Sequence, residues 1–408
     1  MSTAATRGEE TASPQREDAA VTDASPLELR KFVVPEFVYG VGALNLIGRY
    51  ARNFGAVRAL VVTDPGVMAA GWTERAIESL RAEGIDSTVF QDVSPNPKDH
   101  EVAAGVSCYR ETDCDIIVAV GGGSPMDCAK GIGIAHANDM DAIAFEGVDE
   151  VPTPGPPLIC VPTTAGSSAD VSQFAILNDT TRKLKIAIVS KTVVPDIALI
   201  DPTTTTTMPA DLTAATGIDA LVHAIEAYVS NASSPITDIH ALTAIPLLTE
   251  NIDAAIDNPT DMRFRNNMMQ GSLLAGIAFS NASLGLVHAM AHSLGGWLGL
   301  SHGMCNALLL DRVIALNYPA VPDRYDRIAA AMGVHLAGLS GDQRLQALLR
   351  RIEALRASTG IAGTMSGLGV TRADIPHLAA NAFKDPCLAT NPRKVDVAEI
   401  EAVYEALL

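Results

Sequence analysis

The stretch Ile116-Ile-Val-Ala-Val-Gly-Gly-Gly-Ser-Pro-Met-Asp-Cys-Ala-Lys130 decides the fold. Its first five residues are apolar and mostly β-branched, the run expected of a strand buried on both faces. Three glycines follow, then Ser124 and Pro125, which suit an N-cap and a first helical position. Met126 to Ala135 reads as the helix itself. A glycine turn between a buried strand and a helix lets the backbone approach a phosphate, where free N–H groups and the helix dipole favour an anion. The spacing is not G-x-G-x-x-G, so a plain tight turn is equally compatible.

Working outward, strand and helix patterns alternate. Ala59–Thr63 reads as a strand and Thr73–Arg81 as a helix, Ser87–Val93 as a strand and Asp99–Thr112 as a helix. Further strand runs occupy Leu158–Pro162, Gln173–Leu177, Leu184–Val189 and Ile197–Ile200. This alternation predicts an α/β dinucleotide-binding domain over 28–205, built on a Rossmann-like, doubly wound parallel sheet. Asp64 closes the first strand, in Val61-Val-Thr-Asp64. A carboxylate at a strand's C-terminal end suits a ribose diol and repels a 2′-phosphate, although such a residue commonly serves only a turn.

The pattern changes at Pro202-Thr-Thr-Thr-Thr-Thr-Met-Pro209. Beyond it strand patterns fade, while Ala210–Ser230, Arg263–Phe279 and Gln343–Ala357 carry helical periodicity. An all-α domain is expected over 206–408. Residues 1–27 are small, polar and acidic, with Glu9, Glu10, Glu17, Asp18 and Asp23 against Arg7 and Arg16. They lack the apolar core of a secretory signal, and a disordered tail is expected.

Composition narrows the function classes. With 29 Lys+Arg against 47 Asp+Glu in 408 residues, the net charge is −18, which disfavours nucleic acid and anionic lipid. No apolar run approaches the ~18 residues of a membrane span. The six cysteines form no C-x-x-C pair, so reduced thiols and a cytoplasmic setting are expected.

Candidate metal ligands cluster in the second half. Asp219 and His223, in Gly217-Ile-Asp-Ala-Leu-Val-His-Ala-Ile-Glu226, are four apart and share a helix face. His288 and His292 repeat that spacing in Gly285-Leu-Val-His-Ala-Met-Ala-His292, and His302 follows in Ser301-His-Gly-Met-Cys-Asn306. Asp and His on apolar faces need partners or a metal. One carboxylate with imidazoles suits Fe2+, Zn2+, Co2+ or Mn2+. His100, His136, His240, His335 and His377 lack partners at ligand spacing and read as surface or structural.

These motifs, with Gly121-Gly-Gly-Ser-Pro-Met-Asp127 and Pro162-Thr-Thr-Ala-Gly166, give the chain from Phe32 onward a resemblance to the iron-containing (group III) alcohol dehydrogenases. The resemblance implies a dehydroquinate synthase-like architecture with the active site between the two halves. It implies metal ligation by Asp219, His223, His288 and His302, with His292 beside the nicotinamide and substrate. Asp64, Asn96, Gly122, Gly123, Ser124, Asp127, Thr163, Thr164, Ser167 and Lys185 match cofactor-contacting positions. Phe174, Phe279, Leu284 and Cys387 match the substrate pocket. The implied activity is metal-dependent, NAD-linked oxidation of small primary alcohols to aldehydes, and the reverse, with Fe2+, or Zn2+ as the alternative. A homodimer or larger homo-oligomer is implied as well. Glycerol- or diol-dehydrogenase activity on the same scaffold, or a dehydrogenase-like sensor, are the alternatives. The family's usual Thr-Gly-Ser-Glu after Ala-Gly is Ser167-Ser-Ala-Asp170 here, and the usual Pro after the second His of the His-x-x-x-His pair is Ser293.

Overall fold

A computed structural model describes residues 29–361 and 364–408. The expected tail over 1–27 lies outside the described residues. Phe32–Leu408 forms one compact unit. Among the described residues nine strands are present: β1 Glu36–Tyr39, β2 Arg58–Val62, β3 Asp86–Phe90, β4 Ile116–Gly121, β5 Gly147–Val148, β6 Leu158–Pro162, β7 Phe174–Asp179, β8 Leu184–Val189 and β9 Ile197–Ile200. Between them run α1 Ile47–Asn53, α2 Pro65–Ala69, α3 Trp72–Ala82, α4 Asp99–Glu111 and α5 Gly123–Asn138. After β9 every described regular element is helical: α6 Ala210–Val229, α7 Pro235–Thr249, α8 Ile252–Asp257, α9 Met262–Ala282, α10 Leu286–Leu298, α11 His302–Asn317, then α12 Pro322–Ala331, α13 Gly341–Ser358, α14 Ile375–Ala382 and α15 Val397–Glu405.

Six strands form an all-parallel sheet in the order β1-β9-β6-β4-β2-β3. Every residue of β4, β6 and β9 is buried, because helices cover both faces and leave no room for polar alternation. From β2 the chain steps outward to β3, then returns past β2 to β4 and continues toward β6. The direction of winding therefore reverses between β2 and β4, the place where such sheets open a crevice at their strand C-termini. Asp64 follows β2 and Gly122 follows β4, so the two features singled out in the sequence flank one opening.

Three expectations are corrected. Phe174–Asp179 and Leu184–Val189 do not join the main sheet. They pair antiparallel with each other, and β8 also pairs with β5, making a separate three-stranded sheet. The link between them is too short for a parallel crossover. Glu36–Tyr39, assigned to no strand from sequence, is the edge strand beside β9. Ser124 is not the N-cap of α5. Extended Gly122 occupies that place, and no side chain bonds the helix's first N–H groups.

In the helical half, α6 is buried from Gly217 to Val229 and packs against α7, α9 and α11. No single helix among the described residues is long and apolar enough to cross a membrane.

Candidate functional site

A cavity of about 1020 Å³ runs from the crevice of the parallel sheet to the helical half. At its first end, the glycine turn lies close under the loop after β6. A Cβ on Gly122 would sit 3.1 Å from Thr164, and one on Gly123 would sit 3.0 Å from Ser167. The uncapped N–H groups at the start of α5 therefore open onto a tight cleft walled by the Thr164 and Ser167 side chains, a place suited to a phosphate. Asn96, held at φ 58°, donates its N–H to Ser124 Oγ at 3.2 Å and accepts from Lys185 Nζ at 2.6 Å. Asp64 caps α2 by accepting from the Val67 N–H at 3.0 Å while lining the cavity, so it serves the turn and faces the site together. Thr163 and Asp127 line the same end. Burial pushes the Asp127 carboxyl up to about 7 against the opposing charge of Lys130.

At the other end three helices bring four donors together. Asp219 Oδ1 lies 3.9 Å from His223 Nε2, 3.8 Å from His288 Nε2 and 3.6 Å from His302 Nε2. Asp219 and His223 come from α6, His288 from α10 and His302 from the first residue of α11. Donors around one ion at ~2.1 Å in a tetrahedral site stand ~3.4 Å apart. The ligand atoms of Asp219, His288 and His302 all lie within 4.8 Å of one another, near that spacing, whereas His223 reaches Asp219 at 3.9 Å but falls outside the mutual set and would have to shift to join it. Burial pushes His223 down to about 4 against the pull of Asp219, and takes His302 well below its ordinary value. Neutral imidazoles of this kind are metal ligands. His288 goes the other way. Burial lowers it, but hydrogen bonds and charge from Asp219 and Glu226 outweigh that and raise it to about 9. Burial opposes ionisation of Asp219, yet the surrounding imidazoles hold its carboxyl well below the usual range.

Three further side chains complete the cluster, and none had been singled out from the sequence. Asn306 Nδ2 donates to Asp219 Oδ1 at 2.6 Å, from one turn beyond His302 on α11. Glu226 Oε2 lies 2.6 Å from His288 Nδ1. Asp385 Oδ2 lies 2.8 Å from His292 Nδ1. Asn306 and Glu226 sit inside motifs quoted above, and polar side chains one turn from a histidine were the available signal. Asp385 comes from a distant loop and carried none.

The apolar wall is aromatic. Phe279 stacks on the His223 ring with centroids 4.3 Å apart, and Phe174 packs on Phe279 at 5.6 Å. Leu284 lines the same wall. Cys387 does not line the cavity. It is buried behind it, its N–H donating to Asp385 Oδ1 at 2.8 Å. All other site positions expected from the sequence line this one space: the ten cofactor positions, the four candidate ligands, His292, Phe174, Phe279 and Leu284. Trp72 closes the cavity near Asp64, with its indole N–H on Thr207 Oγ1 at 2.8 Å.

Sequence profiles match nearly the whole described unit. The profile described as iron-containing alcohol dehydrogenase matches residues 35–202, and that of the Fe-containing alcohol dehydrogenase family, C-terminal, matches 213–408. The chain is 42% identical to a 1,3-propanediol dehydrogenase of Citrobacter freundii over 91% of this chain and 97% of that one. It is 36% identical to the NAD-dependent methanol dehydrogenase of Bacillus methanolicus, over 92% and 99%. The crystal structure of a 1,3-propanediol oxidoreductase superposes with a TM-score of 0.90 at 40% identity, covering 93% of this chain and all of that one. The chain belongs to the iron-containing alcohol dehydrogenase family.

Proposed function

We propose that the protein is an NAD-linked, iron-dependent dehydrogenase that interconverts small primary alcohols and aldehydes. One observation carries this reading. A four-donor cluster, Asp219, His223, His288 and His302, opens onto the same cavity as the glycine cradle. Those four residues would hold Fe2+, with Zn2+ as the substitute the donor set also accepts. When bound, the metal supplies Lewis acidity toward an alcohol oxygen and the nicotinamide supplies a hydride acceptor.

The chain's own residues would do the rest. Gly122, Gly123 and Ser124 would receive the pyrophosphate on backbone N–H groups, with Asp64 toward the ribose. Asn96, Asp127, Thr163, Thr164, Ser167 and Lys185 would hold the remainder of the cofactor. His292 has its Nδ1 engaged by Asp385, which leaves Nε2 to hold or release the substrate's proton. Phe174, Phe279 and Leu284 exclude water and suit a short alkyl chain. The relatives named for 1,3-propanediol support a second substrate class, a terminal diol, which presents the same primary alcohol to the same site. The reading includes a cytoplasmic homo-oligomer, dimer or larger.

The test is NADH formation at 340 nm with C1–C4 primary alcohols and 1,3-propanediol. Chelator-stripped protein is assayed beside protein reloaded anaerobically with Fe2+ or Zn2+. Activity restored by Fe2+ is the expected result. Silence with every metal and alcohol, from folded protein that binds NAD+, would remove the reading and favour a sensor.

A further inference from the structure

Glu226 follows His223 by three residues on α6 and is 4% exposed. Its Oε2 takes His288 Nδ1 at 2.6 Å and accepts from the backbone N–H groups of Gly285 at 3.1 Å and His288 at 3.4 Å. Its Oε1 accepts from the Val287 N–H at 2.7 Å. Those N–H groups begin α10, a helix with no side-chain cap from its own N-cap residue. One carboxylate on α6 thus caps α10 and grips the first histidine that α10 carries. Gly285 leaves room for it, since a Cβ there would lie 2.9 Å from Glu226 Oε1 and 3.0 Å from Asn391 Oδ1.

We propose that Glu226 is the positioning residue of the metal site. Its hydrogen bond keeps a proton on His288 Nδ1, so that Nε2 is the nitrogen that binds the ion. It also fixes the α6–α10 spacing, so that the donors of both helices converge before an ion arrives. The proposal rests on the metal reading above. Its physics is the tautomer. An imidazole binds a metal through whichever nitrogen lacks the proton, and the hydrogen bond made by the other nitrogen decides which one that is. An α6–α10 pair without this carboxylate has a ring free to turn and a helix terminus free to shift.

The experiment titrates Co2+ into the full chain against a competing chelator and follows the d–d absorption band. Glu226→Gln keeps the side-chain shape but puts an NH2 donor among groups that are all donors. Asn391→Ala removes the acceptor of the Leu286 N–H, at 3.2 Å, and loosens the same helix start without touching His288. Glu226→Gln should weaken Co2+ binding about 10–100-fold and alter the band, the range usual for carboxylates behind ligating histidines. Asn391→Ala should stay within about threefold. Equal affinity in Glu226→Gln and the parent would overturn the proposal, as would equal losses in Glu226→Gln and Asn391→Ala. If Glu226→Gln does not fold, Gly285→Ala displaces the carboxylate instead, and parental affinity in that variant is equally fatal. A parent chain that takes up no Co2+ would remove the metal reading itself. A parent that binds, with His288→Ala that does not and Glu226→Gln unaffected, would remove only the role of Glu226.

Discussion

Replacing Gly303 with alanine tests whether the donor cluster depends on how closely α11 approaches α6. Gly303 follows His302, and a Cβ there would lie 2.1 Å from the carbonyl oxygen of Ala215 and 2.6 Å from its carbonyl carbon. Ala215 is on α6, one turn before Asp219. Real Cβ contacts essentially never fall below 3.0 Å, so the gap must widen from 2.1 Å by roughly 0.9 Å. The obstacle is backbone, which cannot rotate aside, so the helices themselves must part. His302, adjacent to the substitution, moves away from Asp219 Oδ1, now 3.6 Å distant. Overpacking of this kind costs about 1–3 kcal/mol of stability. A displacement near 1 Å at a reacting centre costs roughly 100-fold in rate. Gly303→Ala should therefore fold with a lowered Tm, retain less metal, and lose about 100-fold in kcat/KM for NAD+-dependent alcohol oxidation. The assay pairs steady-state rates at 340 nm with metal analysis and a thermal melt on the same samples. Full metal content with kcat/KM within threefold of the parent would refute the argument that this contact sets the site.

Three other outcomes are expected. Asp64→Ser keeps a cap on α2, because serine also accepts an N–H, but removes the charge that the proposed reading places toward the ribose; the NADP+ to NAD+ preference should rise by about tenfold or more, and an unchanged ratio counts against Asp64 as the discriminator. Phe174→Ser should raise activity on 1,3-propanediol relative to propan-1-ol, at a stability cost of at least the roughly 3–5 kcal/mol of a buried Phe→Ala change; an unaltered substrate ranking removes Phe174 from the pocket wall. Asp127, raised to about 7 mainly by burial, keeps its proton in the fold at pH values where the unfolded chain has lost it. The folded chain then binds more protons between about pH 4 and 7, so stability falls as pH rises through that window. Asp127→Asn should flatten that slope in thermal melts of metal-free, cofactor-free protein, and an identical slope would assign it to other groups.

The sequence made the sheet, the glycine turn and the helical half legible because each depends on local pattern. Short Val and Ile runs between turn residues favour buried strands, and the i, i+4 spacing of Asp219 with His223 states a shared face wherever the helix packs. What stayed hidden depends on tertiary partners. Glu226 looks like one more acid on α6 until α10, remote in sequence, is laid against it. Asp385 is a turn-capping residue in its own loop and becomes the partner of His292 only through folding. The β7–β8 hairpin was misread because its strands carry the same apolar runs as the parallel ones, although the short link between them already ruled out a crossover. Ser124 was misplaced by one reasonable preference overriding another. Serine caps well, but Gly122 can adopt the capping geometry closer to β4, and the helix starts where the first free N–H groups face the cavity.

The pairing of β1 with β9 bears on how the chain emerges during synthesis. Glu36–Tyr39 aligns with Ile197–Ile200, so the earliest strand waits for the latest one. At roughly 5–20 residues per second, the ribosome spends on the order of ten seconds between them. Pairings among β2, β3 and β4 close shorter loops and can form first. Until residue 200 clears the exit tunnel, the growing sheet ends at β6, an apolar strand with an unpaired edge, and β1 has nothing to join. The nascent chain is therefore most exposed to aggregation just before β9 arrives. Rapid decoding through that segment, or a chaperone holding it, would shorten the time for which the β6 edge stands open.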